Sequence, residues 1–332
     1  MSWKHKNNKF AYYGKNYLRQ LIPSSFYQNK FKRKILKVNE FDLDYIRFRV
    51  NYYNKLNTSA ELKGDEIKRI NELTPKNSQK AHYFDMYEYA RYFDQNLKAL
   101  FLFGDITHVP DMPGLTKSRP ISDNNENSVL LKWGKIRHFT FIKKDTIKFE
   151  DKENILIGRG KVHPHQPHRV KFMEMYKNHA MCNIGKVNYY NGKNPEWNVD
   201  RITIDDHLKF KFILSLEGND VASNLKWVMS SNSLPVMPKP KFETWFMEGT
   251  LKPDYHYLSI NEDYTNLEER LNYYINNPDK ANEIIKNAHE YVEQFFNKER
   301  EDLISLLVLE KYFYLTGQIS EISDQLKMVL EK

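Results

Sequence analysis

The chain has 332 residues, 40% of them hydrophobic and 14% aromatic, with 51 Lys and Arg against 43 Asp and Glu and one cysteine. That is more chain than one core ordinarily organises and enough apolar material to fold, which excludes a disordered tail and favours two lobes. The single Cys182 excludes an internal disulfide and suits a reducing compartment, while the net charge of +8 calls for an anionic partner: nucleic acid, anionic lipid or a phosphorylated ligand.

Residues 4–37 are densely cationic and interleave Tyr12, Tyr13, Tyr17, Leu21, Phe26 and Phe31, a composition suited to lying on an anionic bilayer. No apolar run approaches spanning length, residues 303–309 being the longest, so neither a signal peptide nor a membrane span is expected; the expected location is cytoplasmic, peripheral at the inner face of the inner membrane. Residues 41–100 show apolar spacing of three and four in EFDLDYIRFRVNYYNKL, ELKGDEIKRINEL and FDMYEYARYFDQNL, which predicts three helices. The last leads into KALFLFGD, a buried parallel strand followed by a loop. VPDMPGLTKSRP is punctuated by Pro and Gly and predicts an irregular loop, in which Arg119 is positioned to meet an acceptor phosphate. HFTFIKK and ENILIGRG predict strands, with the lobe boundary near Thr146.

The second half is more regular. FKFILSLEGND predicts a strand and loop, VASNLKWVMSSNS a helix with Val221, Leu225 and Val228 on one face, and LPVMP the next strand: one turn of a doubly wound sheet. KFETWFMEGTL then predicts a helix at the edge of this lobe carrying Glu243, Trp245 and Glu248, with Trp245 as its buried aromatic. The strand HYLSI, the helix NLEERLNYYINN and a helical region from Pro278 towards Leu315 complete the pattern. In the turn Glu217, Gly218, Asn219, Asp220, a helix starting near Val221 offers free N–H groups to a diphosphate, with a carboxylate for ribose hydroxyls and Lys226 as a point charge. The same residues equally describe a capped helix with Asp220 as the cap. His163, His165 and His168, separated by Pro164 and Pro167, read as a loop before a helix; no carboxylate or cysteine stands at ligand spacing, so no metal is expected.

Residues 211–260, KFILSLEGNDVASNLKWVMSSNSLPVMPKPKFETWFMEGTLKPDYHYLSI, resemble glycosyltransferase family 90, which holds fungal capsule xylosyltransferases, animal protein O-glucosyltransferases and bacterial lipopolysaccharide transferases. The resemblance is strongest to the bacterial branch. It lies in the order of strand, polar turn with Gly, helix with a basic residue, an S-N-S-like turn, then W, L-K-P and H-Y. FLFGDITHVP resembles the family's strand-then-Asp motif, and ILIGRGKVHPHQPHR its donor-binding loop.

The resemblance implies an α/β chain of GT-B fold, two Rossmann-like domains facing a cleft. Residues 1–145 are expected to form the acceptor-side domain, 146–296 the nucleotide-sugar domain and 297–332 the helices crossing back. It implies inverting transfer of a hexose from a UDP-sugar to a lipid-linked oligosaccharide, a lipopolysaccharide core or related glycan, with no cofactor. Asp105 is the implied catalytic base; Arg159, Gly160, His163, Arg169, Glu217, Gly218, Asn219, Asp220, Ser223 and Lys226 are the implied donor contacts. One departure stands out: many relatives carry Arg where this chain has Asn224, which leaves two readings, the diphosphate contact passing to Lys226 or a different donor preference. Two other classes compete, a basic nucleic-acid-binding protein and an inactive membrane-surface scaffold; no nucleic-acid motif is present, and the strand-Gly-helix unit argues against the former.

Overall fold

The computed structural model describes residues 5, 7–189 and 194–331. These fall into two compact units, each threaded by separate stretches of chain. The terminal unit comprises Asn8–Ile136, Phe242–Glu248 and residues 295–331; the central unit comprises Arg137–Lys241 and Gly249–Gln294, with His5 and Asn7 bonded to Asp205 and Phe139.

In the terminal unit, β1 (Lys68–Arg69), β2 (Lys98–Leu102), β3 (Gly114–Thr116) and β5 (Ser128–Leu130) form one sheet in the order β1-β2-β3-β5, antiparallel at β1 and parallel elsewhere. β4 (Ser118–Pro120) lies outside it. β3 and β5 are buried along their whole length, the pattern of parallel strands covered on both faces. The helix Lys298–Leu315 is enclosed from Leu303 to Phe313, and this explains its poor amphipathicity in the sequence. Its buried Glu301 is compensated by Arg49 Nη2 at 2.8 Å, Lys132 Nζ at 2.8 Å and Trp245 Nε1 at 2.6 Å. A carboxylate in a core requires partners of this kind.

The central unit is built on β6 (Glu153–Gly160), β7 (Cys182–Lys186), β8 (Phe210–Leu214) and β9 (Leu234–Met237). The chain then leaves to form β10 (Phe242–Thr244), which pairs antiparallel with β4 of the terminal unit, and returns for β11 (Leu258–Ser259). The five central strands are all parallel, in the order β11-β9-β8-β6-β7. Alternation along β6 and β8 sends Leu156 and Phe212 into one core with Phe172, Ile184 and Leu271, and Ile157 and Ile213 into another with Leu208 and Val228. Both faces are therefore covered, as in a doubly wound sheet.

Several predicted elements differ. In ELKGDEIKRINEL, Gly64 takes φ +108° and the following residues pair with β2 instead of coiling. VPDMPGLTKSRP is not wholly irregular: side-chain-free Gly114 slips beside Leu100 and Leu102, and β3 and β4 form there. HFTFIKK has no strand; Ile142 is buried without a neighbouring ladder, its N–H bonded to Ser230 Oγ. VASNLKWVMSSNS is helical only over Leu225–Val228, because the hydroxyls of Ser230 and Ser231 take backbone carbonyls and end the turn. KFETWFMEGTL is β10 followed by a turn with Met247 in the left-handed region (φ 56°), so Trp245 is buried in a turn, stacked on Tyr53 at 3.8 Å. Phe242–Glu248, which include Glu243, Trp245 and Glu248, belong to the terminal unit, not to the edge of the central one.

Candidate functional site

Successive parallel strands in the central sheet run outward in opposite directions from the β6–β8 pair. Loops leaving the carboxyl ends of those two strands therefore diverge, and the crevice between them is where open α/β sheets bind ligands. The loop after β6, which ends at Gly160, carries Lys161, His163, His165 and Gln166 and enters the helix Pro167–Tyr176; the loop after β8 carries residues 215–224. Pro167 at the first helical turn suits the fixed φ of proline.

Arg169, one turn into that helix, ties the loops together. Its Nη1 donates to Lys161 O (2.6 Å), Nη2 to Leu216 O (2.7 Å) and Nε to Glu217 O (2.6 Å). His168 Nε2 lies 2.9 Å from the same Glu217 carbonyl, which fixes the ring N–H on that nitrogen. Gln166 Nε2 donates to Asn219 Oδ1 at 3.0 Å, and His165 Nε2 stands 3.2 Å from the same oxygen. Gly160 has a steric reason, since a Cβ there would sit 3.3 Å from Arg169 Nη1; a Cβ on Gly218 would make ordinary contact with Nη2 at 3.6 Å. Three of the five guanidinium N–H groups are thus spent on carbonyls, and the remaining two belong to Nη1 and Nη2, beside Gly160 and Gly218. Burial pushes the Arg169 guanidinium down to about 10, leaving it cationic at neutral pH. His163 and His168 are both lowered, chiefly by burial, which favours neutral imidazoles beside that cation.

Glu217 also accepts the Lys241 N–H at 2.9 Å, bracing its turn against the residues after β9. Asp220 is buried in the bend that follows, and Ser223 lies in the turn before Leu225. The helix opens four residues later than the sequence suggests, with Asn224 as its first flanking residue, so Asp220 is not its cap. Asn224 Nδ2 instead holds the Leu214 carbonyl at the end of β8 (2.9 Å). Two predicted donor contacts lie elsewhere. Arg159 turns along the sheet, its Nη1 bonded to the carbonyls of Gly158 and Asn183 and its Nη2 to Asn183 Oδ1. Lys226 is fully buried, its ammonium 5.7 Å from the Phe139 ring centroid. Arg159 is held towards β7 by its bonds to Asn183, and Lys226 lies in a four-residue helix that is buried throughout. Among the described residues, no group of three His, Cys, Asp or Glu is arranged to hold a metal ion.

Asp105 belongs to the terminal unit. It follows Gly104 (φ +122°) at the carboxyl end of β2, where Gly104 N–H donates to His82 Nδ1 at 3.2 Å and Ile106 N–H to Ser118 Oγ at 3.1 Å. The Asp105 carboxylate, 30% exposed, receives the buried Lys117 ammonium. Arg119, expected on an open loop, is fully enclosed: cross-strand pairing of β4 with β10 sets it opposite Glu243, at 2.7 Å, and its other nitrogens take the carbonyls of Tyr52, Tyr53 and Ser128. A guanidinium so committed is structural, and an acceptor-phosphate role for it is withdrawn.

Sequence comparison identifies the lineage. A family model described as glycosyl transferase family 90 matches residues 127–332. The chain belongs to glycosyltransferase family 90. It is similar to the O-glucosyltransferase LpsA of Dichelobacter nodosus, 40% identical over 270 residues that cover 81% of this chain and 83% of that protein. It is also similar to the uncharacterized protein 179R of Invertebrate iridescent virus 6, 26% identical over 137 residues, 39% of this chain and 12% of that protein. The family 90 match spans the central sheet and the loops that Arg169 joins, so the constellation is part of the region that defines the family in this chain. Two of its parts are not apparent from sequence: Gln166, whose bond to Asn219 crosses 53 positions, and Lys117, whose partner Asp105 lies across a strand whose presence the Pro-rich segment conceals.

Proposed function

We propose that this family 90 transferase moves a hexose from a UDP-sugar to a lipid-linked oligosaccharide, a lipopolysaccharide core or related surface glycan, with inversion at the anomeric carbon. The named activity of LpsA, an O-glucosyltransferase, favours glucose as the hexose. The two α/β units are read as those of a GT-B enzyme, with the donor on the central unit. The observation that supports this reading is the β6–β8 switch point, whose two loops are joined by the partly buried Arg169 guanidinium beside Gly160 and Gly218. That arrangement suits a pyrophosphate: the guanidinium and loop amides receive its oxygens, and His163 and Asn219 flank it.

In this mechanism the acceptor hydroxyl attacks the anomeric carbon and its proton passes to the Asp105 carboxylate. The bond from that carbon to the leaving phosphate oxygen breaks on the opposite face, and UDP departs with the charge that Arg169 stabilises. The Lys117 ion pair holds the Asp105 carboxylate in one orientation. The experiment pairs two measurements on purified protein. Calorimetry and thermal shift across UDP, UDP-glucose, UDP-galactose, UDP-xylose and non-uridine nucleotide sugars should show stabilisation by uridine ligands only. Asp105→Asn should keep that binding while transfer falls at least ~1,000-fold, within the scale of general-base catalysis. No binding of any nucleotide, or full transfer by the variant, defeats the reading.

A further inference from the structure

The first 37 residues contain ten of the 51 Lys and Arg and none of the 43 Asp and Glu, so the remainder of the chain is slightly acidic. The basicity of the protein is therefore local. The same stretch carries most of the large apolar side chains that the structure leaves in solvent: Phe10 (92% exposed), Leu21 (79%) and Leu18 (66%), with Tyr17, Ile22 and Phe26 about half as open.

The helix Lys9–Gln20 does not bury its aliphatic side. Its inward face is held firmly: Tyr12 O–H donates to Asp85 Oδ1 (2.7 Å), Arg19 Nη2 pairs with Glu88 (2.8 Å), Tyr13 and Tyr17 meet Phe84 edge-on, and Asn16 is buried. The outward face carries Phe10, Gly14, Leu18 and Leu21, with half-exposed Tyr17 at its border, all within an arc of about 100° at the helical repeat. A Cβ at Gly14 would meet nothing within 4 Å, so this face is open along its length. Exposed Lys9 and Lys15 lie to either side of this face on the same helix, and exposed Lys30, Lys32 and Arg33 follow within the next dozen or so residues.

We propose that this face is a membrane-docking surface for anionic lipid: Phe10, Leu18, Leu21 and Ile22 enter the head-group and acyl boundary while the surrounding lysines and arginines meet lipid phosphates. Charge complementarity selects the occupant. A segment with ten cations and no anion in its sequence, of which Lys9, Lys15, Lys30, Lys32 and Arg33 are exposed, attracts a polyanionic sheet, and the aliphatic ridge needs an apolar phase beside those anions, which a bilayer supplies and a nucleic-acid backbone does not. Anchoring by Asp85 and Glu88 keeps the ridge presented in the unbound protein, so docking requires no folding step. The inference is independent of the transfer reaction, since it assigns no residue of the donor or base machinery.

The test is co-sedimentation of the full chain with vesicles of phosphatidylcholine alone or with about 30% phosphatidylglycerol, at low and high salt, without donor or acceptor. The expected result is binding to the anionic vesicles only, weakened at least ~10-fold by high salt, and at least ~10-fold by L18S/L21S with its circular dichroism and melting temperature unchanged. In the Phe10→Trp variant, the emission of the introduced indole should shift to the blue on those vesicles. Equal binding to neutral vesicles, wild-type binding by L18S/L21S, or unshifted emission from the Phe10→Trp variant overturns insertion. So does a concentration-dependent dimer that L18S/L21S dissociates in the absence of vesicle binding, which would assign the ridge to a second copy. Because these readouts use no nucleotide, their failure leaves the donor-binding test untouched.

Discussion

Replacing Arg169 with lysine keeps the charge and removes the fork. The native guanidinium closes three hydrogen bonds to carbonyls on two different loops; a lysine ammonium, a point donor on a flexible stem, reaches one of them. Two charge-assisted bonds are lost, each contributing roughly 1–2 kcal/mol after allowance for partial solvent access, so the central unit loses about 2–4 kcal/mol. For a unit of this size that lowers its melting temperature by about 5–12 °C. The loops also lose their mutual registration and the two remaining guanidinium N–H groups, so the UDP dissociation constant should rise ~10–100-fold. Differential scanning calorimetry with and without saturating UDP separates the two effects. A lysine variant with wild-type melting and wild-type UDP affinity refutes the role of Arg169 altogether. One that melts early yet binds UDP normally leaves it as a loop tie with no part in the donor site.

Gly185→Ala places a Cβ 2.2 Å from Val199 Cγ2, so it should cost about 1–3 kcal/mol, with part recovered by adding Val199→Ala; chemical denaturation of the single and double variants measures both. Burial pushes the Cys182 thiol up to about 12, which keeps it protonated at mildly alkaline pH; Ellman's reagent there should label the native protein slowly and the guanidinium-unfolded protein at once. Burial and Lys252 push His256 from 6.5 down to about 4, and its Nδ1 accepts the Lys252 N–H at 2.9 Å. The unfolded chain then takes up the proton first, so this contribution is complete above pH 6.5 and lost as pH falls towards 4. Solvent screening holds it to about 1–2 kcal/mol, and a His256→Gln series of urea melts should lose that slope.

The parallel strands of the central sheet were legible because their apolar runs are bounded by polar turns, as in KFILSLEGND and NILIGRG. The helix Leu43–Tyr53 was legible from its period, and Asp42 accepts the N–H groups of Asp44 and Tyr45 as its cap. What escaped was set by partners distant in sequence. Phe242–Thr244 has a helical pattern but gains more by pairing with Ser118–Pro120, where Glu243 neutralises a buried arginine. Within the site, the turn at Glu217 and Gly218 was legible as a strand-loop junction. The inward course of Lys226 was not, because the serine and asparagine side chains around it decide where the helix starts and stops.

The alternation of chain between the two units orders the protein's birth. A ribosome delivers most of the terminal unit first, yet that unit waits for Trp245 and then for Glu301 before Arg49 and Lys132 acquire their counter-charge. The central unit, all but its short N-terminal piece made second, is complete by Gln294 while the other still exposes an unfinished core. Nascent chains stalled short of the final helix should accordingly carry one protease-resistant body and one susceptible to digestion, and cutting the gene after Ile136 should yield no autonomous first fragment.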